Sequence, residues 1–199
     1  METKVYFLLF DDFETLDVFG PVEVLAHSQA YNIYYCSMGG GDIKNSHGVV
    51  IRTQKIEDFD SNSILVVPGG MGTRKLVNSE EFIQFLKIYA EKAKYVLTIC
   101  TGSTLLAKTG LLKGCKATSN KKAFNWAMSI DKEVVWIHEA RWVVDNKFYT
   151  SYGVSAGIDM TLGFVSDQIG KNKAEEIAKN IEYIWNSDKD KDPFVTNTF

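Results

Sequence analysis

A single cysteine, Cys100, stands where an apolar run gives way to a glycine-containing helix start, Tyr95-Val-Leu-Thr-Ile-Cys-Thr-Gly-Ser-Thr-Leu-Leu-Ala107. A side chain at such a junction sits at the carboxyl edge of a sheet, where open α/β folds bind ligands, and faces the amide end of the following helix. Serine hydrolases use the same kind of turn to expose a nucleophile. Helix amides and neighbouring donors lower a thiol's pKa from about 8.5 into a range of roughly 3.5 to 7.5, so the position predicts a reactive thiolate. The plainer reading of a lone cysteine is a small buried hydrophobe. That reading is kept for Cys36, in Tyr34-Tyr35-Cys36, and for Cys115, in Lys113-Gly-Cys-Lys116.

Two further segments carry residue types that suit a thiol. In Ser63-Ile-Leu-Val-Val-Pro-Gly-Gly-Met-Gly-Thr73, Gly69, Gly70 and Gly72 follow an apolar run directly. Their exposed amides could meet a developing negative charge, with Gly70 and Thr101 as the natural pair of donors. The loop lacks the GxxxxGK[ST] pattern of a phosphate-binding loop. The other segment, Phe10-Asp-Asp-Phe-Glu-Thr-Leu-Asp-Val-Phe-Gly-Pro-Val-Glu-Val-Leu25, places Asp17 near a helix start. A carboxyl beside a thiolate is pushed toward its protonated form and can pass a proton to substrate. The alternative is that Asp17 only favours the helix N-terminus, with Glu23, Asp11 and Asp12 as capping or solvated groups.

These residues need a sheet to gather them. Compact apolar runs at 5–10, 33–37, 64–67 and 96–99 alternate with helix-like stretches at 16–30, 79–92 and 101–108, the rhythm of a parallel sheet covered on both faces. The expected fold is a three-layer α/β/α sandwich with a mostly parallel central sheet and peripheral β-hairpins. Residues 43–53 read as one hairpin, and 141–151 as a second that turns at Asp145-Asn146. Two helices, 155–169 and 173–185, flank the helix stop Gly170. Residues 1–185 read as one domain and 186–199 as a C-terminal tail, either mobile or laid over a neighbour.

Bulk properties bound the function. A chain of 199 residues with 45% hydrophobic content can bury one sizeable core. Its net charge of -3, with only Arg52, Arg74 and Arg141 as arginines, gives no electrostatic reason to bind nucleic acid. A small-molecule substrate fits better. No stretch approaches the roughly 20 apolar residues of a membrane span, so no membrane partner is expected and a cytoplasmic location is. Three unclustered cysteines and three scattered histidines, His27, His47 and His138, suggest free thiols and no metal.

The segments Leu16-Asp-Val-Phe-Gly-Pro-Val-Glu-Val-Leu25, Val66-Val-Pro-Gly-Gly70, Ile99-Cys-Thr-Gly102 and Gly110-Leu-Leu-Lys-Gly-Cys-Lys-Ala-Thr118 together resemble the ThiJ/PfpI superfamily, related to class I glutamine amidotransferase domains. Arg141-Trp-Val-Val-Asp145 and Thr150-Ser-Tyr-Gly-Val-Ser-Ala-Gly157 extend the likeness over nearly all of the chain except the tail. Within the superfamily the sequence is similar to the isonitrile hydratase-like branch. That resemblance implies Cys100 as nucleophile, Asp17 as proton donor or acceptor, Thr101 as a hydroxyl aid and Gly70 as an amide donor. It also implies a flavodoxin-like form of the sandwich, a homodimer and chemistry without a cofactor, in which an isonitrile becomes an N-substituted formamide.

The sequence departs from other branches at informative places. Protease- or amidase-type relatives have histidine directly after the cysteine, where this chain has Thr101, and regulator-type relatives often have histidine near Asn120. His138 could approach from elsewhere, but a lone histidine at a strand end is more often structural. Glyoxalase or deglycase relatives typically use glutamate in place of Asp17. The residues after Trp185 are too few for a helix-turn-helix module. Amidase, peptidase and deglycase activity remain the alternative enzyme readings, and a redox sensor whose Cys100 is oxidised is the non-enzyme one.

Overall fold

The structure is a computed structural model that describes residues 3–195. A six-stranded sheet has the order β2-β1-β5-β6-β10-β9, with β1 at Thr3–Leu8, β2 at Tyr31–Cys36, β5 at Ile64–Val67 and β6 at Tyr95–Ile99. The outer pair is β10 at Phe148–Ser151 and β9 at Trp142–Asp145. Every neighbouring pair is parallel except β9 with β10. The central strands are short and almost wholly buried, because helices cover both faces and leave no side for polar residues. Helices α1 (Thr15–Ser28), α6 (Ala156–Gln168) and α7 (Lys171–Asn180) pack on one another on one side. On the other lie α2 (Gly72–Leu76), α3 (Glu80–Lys92), α4 (Gly102–Lys108) and α5 (Phe124–Ile130). The molecule is the three-layer sandwich expected from the alternation of apolar runs.

Both expected hairpins form. Strands β3 (Gly41–Lys44) and β4 (Val50–Thr53) pair as a separate antiparallel ribbon, and Asn146, at φ 53°, makes the β9–β10 turn. A further small pair joins β7 (Lys116–Ala117) to β8 (Val135–Trp136). The helix expected at 173–185 stops five residues early. Its chain leaves the helix at Ile181, Glu182 takes a left-handed φ of 52°, and the Trp185 indole turns inward to donate to the Asp159 carbonyl at 3.1 Å.

Residues 186–195 lie along the sheet's β9 end, and the last four residues of the expected tail fall outside the described chain. The backbone amides of Arg141 and Trp142 donate to the Lys189 carbonyl, and the Asp192 amide donates to Glu139. Arg141, buried with 4% of its surface exposed, bridges Asp159 of α6 and Asp192 of the tail. The Phe194 ring stacks on Tyr152, centroids 6.5 Å apart. A guanidinium is suited to this place because its fork can serve two carboxylates at once. Arg141→Met strands both acids in the interior, and the expected loss is about 3–5 kcal/mol of stability, measured by urea unfolding. A loss below about 1 kcal/mol, the range of an exposed pair, would show that the bridge does not hold the tail.

Candidate active site

Four neighbouring strands, β1, β5, β6 and β10, deliver their carboxyl ends to one place. Cys100 follows β6 directly and takes φ 57°, the left-handed conformation of a sharp strand-to-helix elbow. Its amide donates to the Tyr152 carbonyl beyond β10 at 3.2 Å, and its carbonyl accepts from the Ser103 and Ser119 hydroxyls, each at 3.1 Å. These bonds pin the elbow from both sides. Gly69 and Gly70 follow β5, and Asp17 sits in the first turn of α1, which follows β1.

The glycines act through what they let approach. A Cβ on Gly69 would lie 2.6 Å from the Thr101 amide nitrogen and 2.9 Å from Asp17 Oδ2, so only a bare α-carbon lets the elbow and the carboxyl close on each other. The Gly69 amide donates to Asp17 Oδ2 at 2.9 Å, and its carbonyl accepts from the Glu14 amide at 2.8 Å. Gly70 has φ 122° and would drive a Cβ into the backbone of residues 12–14. Its amide donates to Thr101 Oγ1 at 3.1 Å. Of the expected oxyanion pair, the Gly70 amide already holds the Thr101 hydroxyl at rest, and the Thr101 amide faces the Cys100 sulfur.

Electrostatics at this edge differ from the expectation of a depressed thiol pKa. Cys100 is 6% exposed, and burial, reinforced by the Asp17 charge, pushes its thiol up. The Thr101 amide, the Asn120 side chain and the Thr101 hydroxyl pull the other way without prevailing. Helix α4, only seven residues long, adds little dipole against that desolvation. Asp17, fully buried, is also held well above the usual carboxylate range by burial, with the Gly69 amide opposing and Glu14 adding to the rise. The Cys100 thiol and the Val154 amide lie near enough to draw it down, yet Oδ1 meets hydrogen-bond geometry with no described group. The pair is a proton-retaining thiol and acid rather than a standing thiolate.

The sulfur lines a cavity of about 200 Å³ with Gly70, Thr101, Asn120, Met71, Arg74 and Glu14, and with Lys122 and Val154 at its margin. Asn120, noted in the sequence only as a departure from relatives, is followed by Lys121, whose buried ammonium donates to Thr118 Oγ1 and the Ala140 carbonyl. Burial brings that lysine down to about 8. Arg74 carries no local sign of a role in the sequence, because what places it is Trp126 on a different helix. His138 packs edge-on against Phe124, centroids 4.8 Å apart, and is not among the residues lining this cavity. Cys36 is buried at the end of β2, its thiol donating to the Phe7 carbonyl of β1, and Cys115 is half-buried and not among the residues lining this cavity. Among the described residues no group of three or more His, Cys, Asp or Glu side chains could hold a metal ion, and no helix is long and apolar enough to cross a membrane.

The raised carboxyl has a measurable consequence. Because Asp17 keeps its proton in the folded chain at a pH where the unfolded chain has lost it, the folded state binds more protons across that interval, and stability falls as pH climbs from about 4 toward neutrality. Asp17→Asn is neutral throughout and can still accept from Gly69. The expected result is that the variant loses less stability than the parent between pH 5 and pH 7, by about 1.4 kcal/mol for each pH unit over which Asp17 remains protonated. Parallel pH profiles of the two chains would exclude the raised carboxyl.

Three kinds of comparison bear on the family and the fold. The family model described as DJ-1/PfpI matches residues 3–167. The chain is similar to an isonitrile hydratase of Pseudomonas putida, 30% identical over 184 residues that cover 92% of this chain and 79% of that protein. It is similar to a deglycase of Thermococcus kodakarensis, 30% identical over 151 residues, 74% of this chain and 89% of the other. Among solved structures, a ThiJ/PfpI family protein from Pseudomonas syringae superposes with a TM-score of 0.83 at 26% identity, covering all of this chain and 80% of that one. With a left-handed cysteine elbow facing a buried carboxyl, and a match over most of its length, this chain belongs to the DJ-1/PfpI family.

Proposed function

We propose that the chain is a cofactor-independent cysteine enzyme that hydrates isonitriles or closely related small carbon–nitrogen electrophiles. The observation that carries this reading is the Asp17 carboxyl, fully buried, proton-retaining and beside Cys100, with a threonine rather than a histidine following the cysteine. A buried carboxylic acid delivers a proton to a carbon or nitrogen without needing to expel a charged leaving amine. A thiol hydrolase of amides needs a base in reach of the sulfur, and His138 lies against Phe124 instead. The likeness to an isonitrile hydratase supports the same choice.

In the proposed sequence the sulfur bonds to the terminal carbon of the isonitrile while Asp17 gives its proton to that carbon and takes the thiol's proton in exchange. The product is a thioimidate on Cys100, and Asp17 is regenerated. Water then adds to the thioimidate carbon as a proton passes through Asp17 to the nitrogen. The carbon–sulfur bond breaks, the thiol is restored, and an N-substituted formamide leaves. The Thr101 amide and the Asn120 side chain, both aimed at the sulfur, steady the charge that gathers there. Thr101 Oγ1, held by Gly70, sets the side wall.

Incubation with a simple isonitrile is expected to release the formamide. Cys100→Ala should abolish turnover, and Asp17→Asn should lower kcat about 10²–10⁴-fold, the usual scale for losing a positioned acid. Turnover of dicarbonyls or peptides but not isonitriles would overturn the hydratase reading, and selective peroxide oxidation of Cys100 without any turnover would favour the sensor.

We also propose a homodimer formed around α1, whose Leu16 and Phe19 are 36% and 39% exposed. Light scattering should give twice the chain mass, and Phe19→Asp should halve it. A monomeric parent chain overturns the proposal.

A further inference from the structure

The cavity beside Cys100 holds a cation that the fold itself does not use. The guanidinium of Arg74, on α2, lies flat on the indole of Trp126, on α5, with its central carbon 3.4 Å from the ring centroid. Stacking at that distance fixes the plane of the group and leaves its N–H edges free to point along the plane. Among the described residues those N–H groups make neither a hydrogen bond nor an ion pair, although Arg74 lines the cavity together with the sulfur. Glu14, the carboxylate in the same lining, is not within ion-pair distance of it. Lys122 adds a second cation at the rim. In a protein of net charge -3, this is a local excess of positive charge around the proposed nucleophile.

A half-buried arginine with a satisfied face and unsatisfied edges is a receptor for a planar anion, which it binds through two parallel N–H···O bonds. The cavity, about 200 Å³, is smaller than the roughly 300–1,000 Å³ of sites that take drug-sized ligands. Its occupant is therefore short, and the anion must lie only a few bonds from the reacting carbon.

We infer that Arg74, stacked on Trp126, is the specificity-determining residue of this site and selects small electrophiles that carry a carboxylate. This deepens the proposed hydratase reading by naming its substrate class, a short isonitrile with an acid group. Arg74 also places positive charge within reach of the sulfur, and that effect acts on every substrate alike, so the test must cancel it.

The ratio of two alkylation rates does so. Iodoacetate and iodoacetamide form the same carbon–sulfur bond with loss of iodide and differ in carrying a carboxylate or a neutral amide, so any change in thiol ionisation drops out. With Cys100 labelling followed by peptide mass, the iodoacetate/iodoacetamide ratio in the parent chain should exceed that of free cysteine. It should fall about tenfold in Arg74→Gln, the loss of about 1.4 kcal/mol of binding, and lie between in Arg74→Lys, which keeps the charge without the fork. Glu14→Gln should raise it. Lys75→Gln, the same charge change on the exposed neighbour, should leave it unaltered. A parent ratio no higher than that of free cysteine, an unchanged ratio in Arg74→Gln, an equal fall in Lys75→Gln, or a Cys100 that reacts with neither reagent would overturn the inference. In parallel, isocyanoacetate is expected to be turned over with a KM at least tenfold below that of its methyl ester, the gap closing in Arg74→Gln. Failure of both isonitriles with the alkylation ratio intact would sink the hydratase reading and leave Arg74 as an anion receptor.

Discussion

The close approach at Gly69 is the constraint on which the site depends. One bare α-carbon lets the first turn of α1, the loop after β5 and the elbow after β6 meet within van der Waals reach, and its amide ties down the Asp17 carboxyl. Burial then acts on both acidic groups in the same direction, so carboxyl and thiol each hold protons more tightly than they would in water. What the fold supplies is a dry pair able to exchange a proton, and its chemical character follows from desolvation more than from any single charge.

The sheet order explains how distant segments become neighbours. Chain order runs β1, β5, β6, β10 across the middle of the sheet, and each strand ends at the same edge. Residues 17, 69, 100 and 154, spread over most of the sequence, are consequently adjacent by topology alone. The helix layers do the remaining positioning: α2 and α5, both short, bring Arg74 and Trp126 together over the cavity.

Much of this was legible in the residues. Apolar runs ending in Cys100 and in Pro68-Gly69-Gly70 marked two strand ends, and Asp145-Asn146 marked the late hairpin. The missed features were those with no local signal. Helices α2 and α5 are one to two turns long, too short to show periodicity. Helix α7 read as longer because Ile177, Ile181 and Trp185 keep a four-residue spacing, while Trp185 in fact leaves the helix to bond Asp159. The thiol's upward shift was hidden for a different reason: sequence position reveals the amides around a cysteine but not how completely water is excluded. Arg74 was invisible because its partner, Trp126, lies 52 residues away in sequence.

Beyond β10 Val154 is left-handed at φ 48° and lines the same cavity as the Cys100 elbow. A β-branched side chain is a poor fit to that region, at a cost of order 1–3 kcal/mol. Glycine in its place would relieve that cost, and the cavity would lose the stiff branched wall that borders the sulfur. At this corner of the molecule durability and a shaped reaction chamber pull in opposite directions.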